Sequence, residues 1–293
     1  MLKLGILGYP LEHSLSPIMH SAALQYLNVS GSYRAIETEE KELERVFKQL
    51  KDSGFKGFNV TIPHKVTIIP LLDELSETAK LAGAVNTVVF RSDGKSAGEN
   101  TDVAGFWEAI PKDAREDIPK QTVSLLGTGG SARAIGVALL KNSAKTIKIF
   151  GRSKEKLSTF LDFMESRRQL TGSKTKIEGG LISGLDLTNT FMLVNSTPLG
   201  MYPSIDASPV TKEELKKMMS NGIVYDIIYN PPQTLLILQA RSVGLKTING
   251  TEMLIRQGAQ SLSIWLEQGV APVGVMRLAV NHSLEEVKAS KNL

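Results

Sequence analysis

Residues 122–140 read TVSLLGTGGSARAIGVALL. Positions 123–126 form a short apolar run that suits a buried strand. The run breaks at Gly127, Gly129 and Gly130, and from Ser131 onward Ala134, Val137, Ala138 and Leu140 supply the apolar side of a helix. Strand, glycine turn and helix opening together give the pattern G-x-G-x-x-A over Gly127-Thr128-Gly129-Gly130-Ser131-Ala132. Small residues are required there for three separate reasons. The first permits a tight turn, the second lets the backbone approach a pyrophosphate, and Ala132 lets helix and strand pack closely. Amide N–H groups at the helix start and the helix dipole then favour phosphate, and Arg133 adds positive charge nearby. A glycine pattern can also be a plain tight turn; its place between strand and helix favours a dinucleotide site.

The chain has 293 residues, enough for two domains. Hydrophobic residues make up 42% and charged residues 22%, which suits a globular protein and not a disordered one. A formal net charge of +4 is too mild to indicate nucleic acid but suits small anionic ligands. With no Cys, disulfides, thiolate catalysis and Cys-bound metals are excluded. No apolar run approaches the ~20 residues of a membrane span. The start, MLKLGILGYP, enters a strand and a turn without a signal-cleavage region, so a cytoplasmic protein is expected.

In chain order, residues 2–7 read as a strand stopped by Gly8 and Pro10. Ser16 before Pro17 predicts a helix with Ser16 at its N-cap, running over 18–27. Ser14 and Ser16 either simply cap that helix or present two hydroxyls able to hold a carboxylate. A strand is expected over 33–36. A helix over 39–52 should bury Leu43, Val46, Phe47 and Leu50 and end at Gly54. A strand over 55–62 carries Asn59 and Thr61 on one face and is followed at once by His64 and Lys65. Helices around 66–72 and 76–81 lead to a strand over 84–91 carrying Asn86 and Thr87. A turn at 92–95 precedes Asn100-Thr101-Asp102, and Asp102 begins a helix through 110. This alternation implies a mostly parallel sheet with its polar residues at strand ends, where open α/β sheets bind ligands.

After the glycine-turn unit comes a strand over 146–150. An NAD site usually ends this strand with an acidic residue for the ribose 2′-hydroxyl. Gly151 stands there instead, followed by Arg152, Ser153, Lys154 and Lys156. A solvated basic helix start capped by Ser153 is one reading; a 2′-phosphate site, hence NADP, is the favoured one. A helix over 157–170, strands over 174–178, 191–194 and 223–228, a helix over 234–243 and a short strand at 247–248 follow. Gly250 marks the return to a helix over 251–267, on which Gln257 shares a face with Met253, Ser261 and Ile264. A short last helix around 274–280 should give way to a polar tail.

A dinucleotide site implies hydride transfer, and a ketone becoming an alcohol needs a proton donor at the developing oxyanion. Lys65 and Asp102 at strand ends offer an ammonium to donate and a carboxylate to orient it, although most lysines are merely solvated charges. His13, His20, His64 and His282 show no metal-ligand spacing, and no metal is expected.

The motifs Ser14-Leu15-Ser16-Pro17, Asn59-Val60-Thr61-Ile62-Pro63-His64-Lys65, Gly83-Ala84-Val85-Asn86-Thr87, Asn100-Thr101-Asp102, Tyr229-Asn230-Pro231 and the stretch 250–257 resemble, in this order, the shikimate dehydrogenase family. The resemblance covers nearly the whole chain. It implies a two-domain α/β fold: an N-terminal, mostly parallel α/β substrate domain (1–102, with a C-terminal helical return, 250–293) and a Rossmann-type NADP-binding domain (103–249). It implies NADPH-dependent, reversible reduction of 3-dehydroshikimate to shikimate, on the route to chorismate and the aromatic amino acids. Lys65 and Asp102 would be the catalytic pair. Ser14 and Ser16 would bind the substrate carboxylate; Thr61, Lys65, Asn86, Asp102 and Gln257, with Tyr229, would bind the ring hydroxyls. The segment Gly127, Thr128, Gly129, Gly130, Ser131 and Ala132 would cradle the pyrophosphate. Arg152, Ser153 and Lys156 would take the 2′-phosphate and adenine side, and Thr197, Ile227, Gly250 and Met253 would lie near the nicotinamide. The partners implied are the small-molecule substrate and NADP, with no nucleic acid and no membrane, in a monomer or homodimer.

Two departures stand out. The family's Asn-Arg-Thr after the second cofactor strand is Gly151-Arg152-Ser153 here, and a following Arg is matched by Lys156. Lys lacks the bidentate guanidinium fork, so NADP preference is expected but with less strictness. A quinate/shikimate dehydrogenase with relaxed cofactor use is the alternative; an acidic residue near Gly151 would have favoured it. A non-catalytic relative would be expected to lose Lys65 or Asp102, and both are present.

Overall fold

The computed structural model describes residues 1–267 and 269–291, the last five of them by backbone alone. The chain forms two compact units, Met1–Gly105 with the chain from Leu254 onward, and Phe106–Met253.

The first unit starts with β1 (Leu2–Gly8), α1 (Ser16–Tyr26), β2 (Gly31–Glu37), α2 (Leu43–Asp52) and β3 (Gly57–Val60). It continues with β4 (Glu74–Leu75), α3 (Glu77–Ala82), β5 (Thr87–Phe90), β6 (Ser96–Glu99) and the start of α4 (Asp102–Ala109). Its sheet has the order β2-β1-β3-β5-β6-β4. Pairing is parallel except around β5, which runs antiparallel to both β3 and β6. On α2 the expected face is buried: Leu43, Val46, Phe47 and Leu50 pack with Phe58, Val88 and Phe90. Four such side chains contribute roughly 6–12 kcal/mol by burial, far above the few tenths per residue that separate helix propensities, so packing holds this helix.

Several local expectations are corrected. The Leu15 carbonyl accepts from the Met19 N–H at 3.1 Å, so Leu15 is the N-cap of α1 and Ser16 its first helical residue; no side chain caps it. The helix expected from 39 begins at Leu43, after a 3₁₀ turn over Glu40–Glu42. Residues 66–72 contain only a 3₁₀ turn, Ile69–Leu71, because Pro70 donates no hydrogen bond. β3 stops at Val60, which leaves Thr61 beyond its end.

The second unit contains α5 (Lys112–Asp117), β7 (Thr122–Leu126), α6 (Gly130–Lys141), β8 (Thr146–Gly151), α7 (Lys154–Thr171) and β9 (Lys176–Leu181). β10 (Thr190–Asn195), α8 (Lys212–Leu215), β11 (Ile223–Asp226), α9 (Leu235–Ser242) and β12 (Lys246–Ile248) complete it. The sheet is wholly parallel, in the order β12-β11-β10-β7-β8-β9. Succession runs outward from β7 to β9 on one side and from β10 to β12 on the other. This is the doubly wound Rossmann order, with its switch point between β7 and β10.

The chain then returns through α10 (Thr251–Leu266) and α11 (Val273–Lys291). The latter replaces the short helix and polar tail expected here. Met276, Val280 and Leu284 recur every four residues and are buried, and α11 packs on α1. α10 docks through Trp265, which is 2% exposed and whose indole N–H donates to the Val88 carbonyl at 2.9 Å. Gly57 makes room for it: a Cβ there would lie 2.3 Å from the indole nitrogen. Among the described residues no helix is long and apolar enough to cross a membrane.

Candidate active site

Lys65 follows the end of β3 in a tightly tied turn. The Thr61 amide donates to the Leu7 carbonyl, His64 N–H to Thr61, and Val85 N–H to the Lys65 carbonyl at 2.7 Å. The His64 ring is fully buried, with Nε2 2.7 Å from the Thr38 carbonyl. This imidazole anchors the loop. Just beyond β6 Asn100 reaches back to the segment before β5, its amide donating to the Ala84 carbonyl at 2.8 Å and its Oδ1 accepting from Val103 N–H at 3.3 Å. Asp102 is thereby set as the first residue of α4.

Lys65 Nζ donates to Asp102 Oδ2 at 2.7 Å, with the two side chains 13% and 5% exposed. Such a pair is screened far less than a surface ion pair. The other carboxylate oxygen of Asp102 accepts from Asn86 Nδ2 at 3.0 Å, and the same amide reaches Gln257 Oε1 at 3.2 Å. Gln257 is held in turn by donation to the Leu254 carbonyl at 2.8 Å. Thus Lys65, Asp102, Asn86 and Gln257 form one hydrogen-bonded group. Ser14 and Ser16 form a second group at the start of α1, where Ser14 Oγ accepts from the Ser16 N–H at 3.4 Å. Thr61 is half-buried in the loop that leads to Lys65, and Tyr229 belongs to the second unit, half-buried three residues beyond β11.

Beneath Asn86 lie polar residues to which the sequence had given no role. Asn59, Thr87, Thr101 and Ser261 are all buried and hydrogen-bonded to one another or to Asn86. The Tyr33 hydroxyl donates to Asn59 Oδ1 at 2.7 Å, and its ring stacks on His20 with centroids 4.2 Å apart. Burial lowers the His20 pKa to about 3, so this imidazole is neutral. The detectable signal was Ser261 itself, a hydroxyl one helical turn after Gln257 on the same face.

In the second unit the glycine turn has the geometry that the pattern demands. Gly127 has φ +110°, and a Cβ there would lie 2.6 Å from Ser196 Oγ. Gly129 is the extended N-cap of α6; no side chain caps that helix and no acidic residue sits in its first turn. A Cβ on Gly129 would meet nothing within 4 Å. Open space before first-turn amides is what a pyrophosphate needs, and the cradle fits a dinucleotide. Ala132 is buried, and Thr128, Gly130 and Ser131 complete the loop. Arg133 lies over the Phe163 ring at 4.2 Å, with Arg167 on the same ring at 4.7 Å.

Arg152, Ser153 and Lys156 are exposed at the end of β8, and Ser153 Oγ accepts from the Lys156 N–H at 3.3 Å as the cap of α7. Thr197 is fixed by Asn195, whose Oδ1 accepts from its amide at 3.0 Å and its hydroxyl at 2.7 Å. Asn195 in turn donates to Asp226 Oδ1 at 3.0 Å. Asp226 is fully buried and also receives the Thr234 hydroxyl (2.7 Å) and the Ile228 N–H (3.2 Å). Burial pushes its carboxyl up to about 6 despite these three donors. Gly250 packs on Ile227, where a Cβ would fall 1.9 Å from the Ile227 carbonyl oxygen, and Met253 is buried at the start of α10.

A Rossmann sheet with a glycine cradle and a strand-end Lys–Asp pair define an oxidoreductase that uses a dinucleotide. Comparison with known proteins narrows the class. Residues 6–88 match the shikimate dehydrogenase substrate binding domain. Shikimate dehydrogenase (NADP(+)) of Gloeothece citriformis is 43% identical over 277 residues, 93% of each chain. Among solved structures, a shikimate dehydrogenase in complex with NADP+ is 37% identical with a TM-score of 0.84, over 97% of this chain and 96% of that one. The Thermus thermophilus shikimate 5-dehydrogenase, in complex with NADP(H) and shikimate, is 30% identical with a TM-score of 0.81, over 96% and 99%. The chain belongs to the shikimate dehydrogenase family.

Proposed function

We propose that this protein catalyses the reversible, NADPH-dependent reduction of 3-dehydroshikimate to shikimate, on the route to chorismate and the aromatic amino acids. The observation that carries this is the 2.7 Å contact between the nearly buried side chains of Lys65 and Asp102, with Asn86 on the second carboxylate oxygen. Residues 1–102 with 250–293 act as the substrate domain and 103–249 as the NADP domain of a cytoplasmic monomer or homodimer.

Ser14 and Ser16 bind the substrate carboxylate. Thr61, Asn86, Asp102 and Gln257, with Tyr229, bind the ring hydroxyls and so present the C=O group to Lys65. NADPH, when bound, supplies the hydride that converts the carbonyl carbon to an alkoxide carbon. Lys65 gives its proton to that oxygen, and in the reverse direction takes the alcohol proton back. Asp102 holds the ammonium in line. Positioned proton transfer of this kind is worth about 10²–10⁴ in rate. The cofactor is held by the amides from Gly127 to Ala132, with Arg152, Ser153 and Lys156 at the 2′-phosphate and Thr197, Ile227, Gly250 and Met253 at the nicotinamide end.

The test is a steady-state assay that follows NADPH absorbance, with shikimate or quinate, each paired with NADP or NAD. A kcat/KM for shikimate with NADP about tenfold or more above the other three pairs supports the proposal. Equal rates with quinate or NAD overturn it in favour of a quinate/shikimate enzyme, where the unforked Lys156 would carry the relaxed cofactor choice.

A further inference from the structure

The direction of the Asn86 amide is forced by one backbone group. The Thr101 N–H lies 2.8 Å from Asn86 Oδ1 and can only donate, so that atom is the carbonyl oxygen. Nδ2 therefore faces Thr101 Oγ1 at 2.8 Å, Asp102 Oδ1 and Gln257 Oε1. One directed arrangement of the hydroxyl protons satisfies the contacts around it. Thr101 Oγ1 accepts from Asn86, so its own proton goes to Ser261 Oγ at 3.2 Å. Thr87 Oγ1, 3.1 Å from Asn86 Oδ1, has to donate to it. Thr87 consequently accepts from Ser261 Oγ at 2.7 Å. The bonds run in one direction around a closed ring, Asn86 to Thr101 to Ser261 to Thr87 and back to Asn86.

Asn59 braces the ring by donating to Thr87 Oγ1 at 3.1 Å and to Ser261 Oγ at 3.0 Å. All four ring members are at most 2% exposed, so water does not substitute for a missing member. Bonds chained in this way at low dielectric polarise and strengthen one another. Ser261 is the only ring member contributed by α10, the helix that also carries Gln257, and its one hydroxyl proton is shared between Thr87 Oγ1 in the ring and the Gln257 carbonyl, which accepts from it at 2.9 Å.

We propose that Ser261 is a positioning residue for substrate recognition: it closes the ring that aims the Asn86 amide at Asp102 and Gln257. Without its hydroxyl, Thr101 loses an acceptor, Thr87 loses a donor, and Asn86 is tied to α10 by Gln257 alone. The inference rests on the substrate assignment made above, in which Asn86, Asp102 and Gln257 meet the ring hydroxyls.

The experiment compares Ser261→Ala and the near-isosteric Thr87→Val with the wild-type enzyme, and then places Ser261→Ala in an Asn86→Ala background with shikimate affinity read by calorimetry. Each single variant should raise the shikimate KM about tenfold, as expected for one or two lost buried hydrogen bonds, and leave the NADP KM within about twofold. In the Asn86→Ala background Ser261→Ala should add less than about twofold, because its effect passes through Asn86. Unchanged shikimate KM in both single variants, equal losses for both substrates, or the full Ser261→Ala effect persisting without Asn86 would each overturn the proposal. A wild-type enzyme inactive on shikimate with NADP overturns the activity itself, and this inference with it.

Discussion

Asp226→Asn should make the protein more stable relative to wild type as the pH rises. The carboxyl of Asp226 is pushed from an ordinary value of 3.8 to about 6 by burial. A raised acid binds more protons in the folded state than in the unfolded one. Its contribution to stability is therefore full below pH 3.8 and is lost as pH rises through 6. A shift of that size corresponds to about 3 kcal/mol in all, of which about 2 falls between pH 4.5 and 8. Asparagine matches the shape of aspartate and does not titrate. Its Oδ1 can accept from Asn195 and Ile228, and its Nδ2 can donate to the Thr234 hydroxyl that donates to Oδ2 in wild type. Urea unfolding of both proteins at the two pH values, followed by the fluorescence of Trp107 in the same unit, measures the difference directly. The Asn variant should gain about 2 kcal/mol on wild type between pH 4.5 and 8, a midpoint shift of roughly 1 M. A wild-type-minus-variant difference that stays constant with pH would refute the claim that burial dominates at Asp226.

Lys65→Ala should lower kcat about 10²–10⁴-fold, measured with saturating shikimate and NADP, because it removes the proposed proton donor. The same change leaves Asp102 buried without its cation, so the thermal midpoint should fall as well. Gly129→Ala should unfold at the wild-type temperature, since a Cβ there meets nothing, yet raise the NADP KM more than about tenfold by placing a methyl before the helix amides. Arg152→Ala should raise the NADP KM about tenfold and leave the NAD KM within about twofold; equal changes for both would remove Arg152 from the 2′-phosphate.

The cofactor unit was legible because its signal is local. A branched apolar run, three glycines and a helix lie within twenty positions, and the small residues answer directly to turn, approach and packing. The same is true of α2, whose apolar spacing predicts the buried face that is observed. What escaped depends on partners distant in sequence. β6 reads Ser-Ala-Gly-Glu, poor strand chemistry, and exists because it pairs between β5 and β4 while Ser96 is tied to Asp73. Past Val280 the sequence is polar enough to read as a tail, but Leu284 is buried and α11 packs on α1, far away in sequence. Ser16 before Pro17 satisfies the N-cap rule, yet the carbonyl that starts the helix is Leu15's. At the candidate site the motif residues were readable and their support was not. Thr87 and Thr101 stand inside quoted motifs without a role of their own, and Ser261 stands outside them; their part shows only when α10 brings Ser261 to them.

The return of α10 and α11 to the first unit also sets an order of assembly during synthesis. Residues 106–253 form one uninterrupted stretch, and their sheet can be completed as soon as it clears the ribosome. The first unit has no such freedom. Asn86 emerges early but must wait for Gln257, 171 residues later, and for the Trp265 indole that seats against Val88. A nascent chain therefore carries a finished Rossmann sheet before its first unit can close, and any product cut short before residue 257 is left without the Asn86–Gln257 bond.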